Sequence, residues 1–104
     1  MNYTKANELL QGRNYQSRKL ANNTYLKRRG ENIAVLLHTT DIVTFEPNGD
    51  TVLNSGGWLT STTKARMNRY IAPIRISQVN GRWFLFQNGK SWAYADGIIL
   101  KGGD

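Results

Sequence analysis

The chain has 104 residues and a formal net charge of +7, from 14 Lys or Arg against 7 Asp or Glu, with three Trp, five Tyr and no Cys. That length suits one domain, the aromatic content excludes a disordered basic tail, and the lack of thiols excludes disulfides and thiolate metal sites. No apolar run nears the roughly 20 residues of a membrane-spanning helix, and Met1-Asn2-Tyr3-Thr4-Lys5 lacks the apolar stretch of a secretory signal, so a cytoplasmic protein is expected.

In chain order, residues 3–11 read as a short helix with Thr4 as cap, Ala6, Leu9 and Leu10 on one face, and Gly12 as the stop. Residues 13–23, with Asn14, Ser17, Asn22 and Asn23 and few apolar positions, read as a connection. From Thr24 onward β-branched and aromatic runs alternate with turn signals, giving expected strands at 24–29, 33–38, 41–46, 51–54, 73–79, 82–87, 91–94 and 98–100. The turns are Gly30-Glu31-Asn32, Pro47-Asn48-Gly49-Asp50, Asn80-Gly81, Asn88-Gly89 and Asp96-Gly97. Asn-Gly supplies two residues that tolerate positive φ, the requirement of a tight hairpin, so neighbouring runs pair antiparallel and the last four form a meander. Between the β groups, residues 61–70 carry helix formers behind the capping hydroxyls of Ser61, Thr62 and Thr63. The expected architecture is α+β: residues 1–23 are helix and connection, residues 24–104 a β-rich body, mostly antiparallel meander with one short helix.

Charge is segregated along this layout. Residues 1–30 hold seven bases against Glu8 alone, residues 31–60 hold Glu31, Asp41, Glu46 and Asp50 with no base, and the remainder is basic again. A strongly basic small protein concentrates anions around itself, which points to nucleic acid, DNA or RNA, or to an acidic protein surface as partner. The acidic block serves solubility or forms one pole of a dipolar molecule, able to pair head to tail with a copy of itself.

Three constellations carry the binding expectation. Lys27-Arg28-Arg29 closes a strand in which Lys27 and Arg29 share a face with Tyr25, an arrangement suited to a phosphate backbone beside a stacked base. The same residues also fit an edge strand protected by charge. In Ser55-Gly56-Gly57-Trp58, paired glycines run through Thr60, Ser61, Thr62 and Thr63 into a helix start, where free N–H groups favour an anion. Beyond it, Arg66 and Arg69 share a helix face, Tyr70 lies one turn from Arg66, and Lys64 points elsewhere. The glycines are not followed by the Gly-Lys-Ser/Thr of a nucleotide loop, and turn, cap and packing roles explain the run equally well. Arg82-Trp83-Phe84-Leu85-Phe86 with Trp92 and Tyr94 is either a strand buried on both sides or an aromatic platform.

Catalysis has a narrower base. His38 is the only histidine, and a small ribonuclease built from it with Arg66, Arg69, Tyr70 and Glu46 would lack a second histidine as paired acid. No enzyme, metal or cofactor is expected.

The stretches Leu20-Ala21-Asn22-Asn23-Thr24-Tyr25-Leu26, residues 33–44, Leu53-Asn54-Ser55-Gly56-Gly57-Trp58 and residues 62–70 resemble a family of small uncharacterised proteins encoded by bacteriophages and prophages. The resemblance implies a phage setting in the host cytoplasm and no particular activity. In that setting the leading expectation is non-catalytic nucleic-acid binding by Lys27, Arg28, Arg29, Lys64, Arg66 and Arg69, with Tyr25, Trp58 and Tyr70 on bases or sugars. The alternative is a phage-encoded inhibitor that binds a bacterial host or defence protein with the same surface.

Overall fold

In the computed structural model, which describes residues 1–102, an N-terminal helix α1 (Tyr3–Leu9) and a single 3₁₀ turn (Gly12–Asn14) precede five strands. These are β1 (Ser17–Ala21), β2 (Thr24–Arg29), β3 (Asn32–Leu37), β4 (Thr40–Phe45) and β5 (Thr51–Leu53). Helix α2 (Ser61–Tyr70), β6 (Arg75–Val79), β7 (Arg82–Gln87), β8 (Lys90–Ala93) and β9 (Ile99–Leu100) complete the chain. All strand pairs are antiparallel, in a six-stranded sheet ordered β1-β2-β3-β4-β5-β9 and a three-stranded sheet β6-β7-β8. No helix among the described residues is long and apolar enough to cross a membrane.

The α+β architecture follows the pattern read from the sequence, with three corrections. The segment read as a connection contains β1: an edge strand needs hydrogen bonds on one side only, so its composition can stay polar, with Leu20 and Ala21 half-buried. The expected four-strand meander stops at three, because β9 leaves the small sheet and pairs with β5. Asn2, not Thr4, caps α1, its side chain accepting the Lys5 N–H at 2.8 Å.

Both Asn-Gly hairpins form as expected, with φ of 52° and 78° at Asn80-Gly81 and of 52° and 75° at Asn88-Gly89. Thr60, one residue before the expected caps Ser61, Thr62 and Thr63, caps α2 by accepting the Thr63 N–H at 3.2 Å.

One core lies between the inner face of the large sheet and everything packed on it. Leu26, Ile33, Val35, Val43, Phe45 and Leu53 meet Ala6 of α1 and Leu10 just after it, Met67 and Tyr70 of α2 and Ile71 just after it, and Ile76, Trp83 and Leu85 of the small sheet. Alternation along β7 turns Trp83 and Leu85 inward and leaves Phe84 and Phe86 half-buried. Trp83 stacks at a tilt on Tyr94, with centroids 5.2 Å apart. The aromatics of the alternative platform, Trp83 with Trp92 and Tyr94, are therefore core and core rim.

A carboxylate clamps the small sheet to the large one. Asp96 accepts the Ser55 N–H at 2.8 Å, the Ser55 hydroxyl at 3.0 Å and the Tyr94 hydroxyl at 2.6 Å. Partial burial opposes its ionisation, but the hydrogen bonds from Tyr94 and Ser55 outweigh this and hold it below the ordinary carboxylate range. Burial, then the hydrogen bond to Asp96 and the charge of that carboxylate, pushes the Tyr94 phenol up. A depressed carboxylate stabilises the fold above its unfolded pKa, about 3.9, and that contribution is lost as pH falls through the lower folded value. Asp96→Asn is expected to cost about 1–2 kcal/mol at neutral pH, discounted for solvent contact of the carboxylate, and to shrink the loss of stability below about pH 4. Urea midpoints from pH 7 to 2 test this, and an acid limb unchanged from wild type would remove the clamp.

Candidate functional site

Among the described residues, the helices and the small sheet pack on one face of the six-stranded sheet, so the other face is open. Register sets its content. Ser17 opposes Lys27, Lys19 opposes Tyr25, Lys27 opposes Ala34, Tyr25 opposes Leu36, and Ala34 opposes Thr44, which opposes Val52. Directly opposed residues point the same way, so Lys19, Lys27 and Arg29 stand around Tyr25 at the β1–β2 edge, while Val52 and Ile99 form an apolar strip toward β9. Tyr25 is 37% exposed. The predicted grouping of Tyr25, Lys27 and Arg29 is therefore assembled on one surface, and β1 adds Lys19 to it. The signal for Lys19 was in the sequence: Asn22-Asn23 is a two-residue turn between two runs that can pair.

Arg29 is not free on that surface. Its guanidinium makes a two-pronged ion pair with Asp41, at 3.0 Å on each prong, reaching diagonally across β3. Ala34 lies between them and is fully buried although it faces outward. Donating to the Asp41 carboxylate holds Arg29 still more firmly charged. Asp41 thus competes with any phosphate for Arg29, a feature invisible without the strand register.

Arg28 faces the other way, as alternation requires. It donates to the Tyr15 carbonyl at 2.9 Å, the Asn7 side-chain oxygen at 2.7 Å and the Leu10 carbonyl at 2.9 Å, with its guanidinium 4.0 Å from the Tyr15 ring centre. Its partners are all in or just after α1. Sequence reasoning put Arg28 with its neighbours; the structure separates it from them and makes it an anchor for the first helix.

Helix α2 packs against the inner face, so its cations are apart from the open face. Arg66 donates to the buried Thr24 hydroxyl at 3.1 Å, Lys64 is half-buried, and Arg69 is exposed. Tyr70 is only 7% exposed and belongs to the core, which withdraws its ring from the contact expected of it. The glycine loop also differs from expectation. The Gly56 N–H bonds the Asn54 side chain at 2.8 Å and the Gly57 N–H bonds the Ser55 hydroxyl at 3.1 Å, so neither is left to hold an anion. Gly56 has φ of 63°, and a Cβ there would meet the Thr40 hydroxyl oxygen at 2.7 Å, so only glycine lets the loop close on β4.

That close approach forms a cleft of about 430 Å³ between the β3–β4 turn and the start of α2. Leu37 and Ile42 line its buried base, hydroxyls of Ser55, Thr40, Thr60, Thr62 and Thr63 its sides, and His38 and Trp58 its rim. His38, expected to end a strand, sits in the turn with φ of 55°, where its N–H bonds the Asn23 carbonyl at 2.9 Å. Trp58 is 64% exposed. The sequence singled out the histidine and the tryptophan separately; only the fold brings them to one cavity. No group of three or more His, Asp or Glu that could hold a metal is gathered among the described residues.

The acidic block is partly spent internally. Besides Asp41 on Arg29, Asp50 accepts the Gly102 N–H at 3.0 Å and the Lys101 ammonium at 3.3 Å. The Gly102 bond leads in holding its carboxyl below the usual range.

No curated protein and no solved structure is significantly similar to this chain. A family model does match, and it spans residues 1–101, nearly the whole chain. The protein belongs to the Kyanoviridae Gp96 protein family, a family of phage proteins, in keeping with the phage resemblance of its strand and glycine-loop segments.

Proposed function

We propose that this phage protein binds nucleic acid without catalysis, using the open face of its large sheet. The observation that supports this is the placement of Lys19, Lys27 and Arg29 on the same face as the exposed Tyr25, a face that no other element among the described residues covers. Cations at strand spacing neutralise successive phosphates, while an aromatic on the same sheet face stacks an unpaired base, so a single strand fits the surface better than a duplex. Binding rather than turnover is favoured because, among the described residues, the cleft holding His38 is lined by no carboxylate and no second imidazole to complete an acid–base pair.

Anisotropy titrations against single-stranded and duplex DNA and RNA at several salt concentrations test this reading. Saturable binding that prefers single strands, with affinity falling linearly in log salt by several units and with intact oligonucleotides on a gel, is the expected result. Absence of binding near physiological salt would transfer the same surface to an acidic bacterial protein, the inhibitor reading. Cut RNA would make the protein an enzyme.

Asp41 supplies a sharper test. If Arg29 can turn to phosphate, Asp41→Asn removes its internal competitor. Affinity should then rise severalfold, and the salt slope should steepen by about one. Unchanged affinity and slope would leave Arg29 out of the interface.

A further inference from the structure

We infer that the cleft between the β3–β4 turn and α2 receives a nucleobase, stacked on Trp58. The inference deepens the nucleic-acid reading and rests on it for the source of the base.

The lining decides the ligand's chemistry. Leu37 and Ile42 make an apolar base, Trp58 offers a large indole face that is 64% exposed, and the polar lining consists of hydroxyls and the His38 imidazole. Among the described residues no Asp, Glu, Lys or Arg lines the cleft, so a charged group placed inside would be desolvated without a counter-charge. A purely aliphatic occupant would leave the Thr40 and Thr62 hydroxyls without partners. A sugar ring would meet none of the carboxylates or amides that usually grip adjacent sugar hydroxyls. A flat, uncharged heteroaromatic ring satisfies every wall: its faces cover the indole and the apolar base, and its edge exchanges hydrogen bonds with hydroxyls that both donate and accept. Because hydroxyls adapt to either role, the cleft would discriminate weakly among bases.

Position supplies the link to the open face. Thr40 lines the cleft, and the next residue, Asp41, stands on the open face opposite Leu36, which in turn opposes Tyr25. Thr40 and Asp41 point to opposite faces of the sheet, so a strand whose phosphates follow Lys19 and Lys27 and whose base covers Tyr25 reaches the cleft by rounding the β3–β4 turn. The backbone over the open face stays among the cations, and a base beyond the turn enters the neutral cavity.

Two arms separate the sources of that base. In the first, uncharged nucleosides are titrated into isotope-labelled protein while the Trp58 indole N–H signal, assigned with Trp58→Phe, is followed. In the second, the affinity of a short single strand is compared between wild type and Trp58→Ala, whose exposed site predicts an unchanged circular-dichroism spectrum. The expected results are a saturable shift of the Trp58 signal and a roughly ten- to hundredfold loss of single-strand affinity at unchanged salt slope. A strand that binds equally well to both proteins, with a motionless indole signal, overturns the cleft and leaves the open-face reading standing. A shift with nucleosides but no strand binding upholds the cleft as a site for free nucleosides and overturns the open-face reading. A motionless signal with no strand binding overturns both.

Discussion

Replacing Lys19 and Lys27 together by Ala should lower the salt slope of nucleic-acid binding by about two and weaken affinity about tenfold or more near physiological salt. The two lysines are not neighbours in sequence. They converge because β1 pairs with β2 in a register that sets Ser17 against Lys27 and Lys19 against Tyr25, which places both side chains on the face of the Tyr25 ring from adjacent strands. Neither has an internal ion-pair or hydrogen-bond partner among the described residues, unlike Arg28 and Arg29, so each can give its full charge to a phosphate. Both sit on the open face and contribute nothing to the core, so the denaturation midpoint should stay within about 0.5 kcal/mol of wild type. Lys90→Ala, in the exposed β7–β8 hairpin of the small sheet, removes one charge outside that face and serves as the control. If the control lowers the slope per charge as much as the pair does, binding follows net charge and not this surface.

The fold was largely legible in the sequence because its signals are local. Asn80-Gly81 and Asn88-Gly89 specify tight hairpins by backbone conformation alone, and Thr60 with the helix formers behind it specifies α2. What escaped was decided at long range. β1 is a strand because β2 offers it a hydrogen-bonding edge, and β9 leaves the small sheet because Gly97 donates to the Leu53 carbonyl at 2.7 Å and Leu53 to the Ile98 carbonyl at 3.1 Å. The same distinction runs through the site. Alternation correctly put Tyr25, Lys27 and Arg29 on one face, since the period of a strand is a local property. It could not say that Arg29 meets Asp41 two strands away, that Tyr70 is drawn into the core, or that His38 and Trp58 share a cavity, because each depends on register or on the packing of α2.

Arg28 gives the largest expected effect on stability. Arg28→Ala should destabilise the protein by about 2–3 kcal/mol, lowering the melting temperature by roughly 10 °C or more in a chain of this size. The first helix has only seven residues, too few to persist alone, and it ends without a glycine-type cap, at Leu10 with φ of −102°. Its C-terminal carbonyls need outside donors, and Arg28 supplies the one at Leu10 while its other nitrogens hold the Asn7 side chain and the Tyr15 carbonyl. A single planar fork thus ties the helix end and the chain leaving it to β2, with the Tyr15 ring stacked on the guanidinium. Lysine has one compact ammonium in place of that fork, so Arg28→Lys should recover little of the lost stability while keeping the charge. That separates an anchor from a phosphate contact. If Arg28→Lys restores the urea midpoint, or if Arg28→Ala leaves it unmoved, the three hydrogen bonds do not hold α1 in place. If Arg28→Lys instead lowers the affinity for nucleic acid at unchanged stability, Arg28 belongs to the interface with its two neighbours after all.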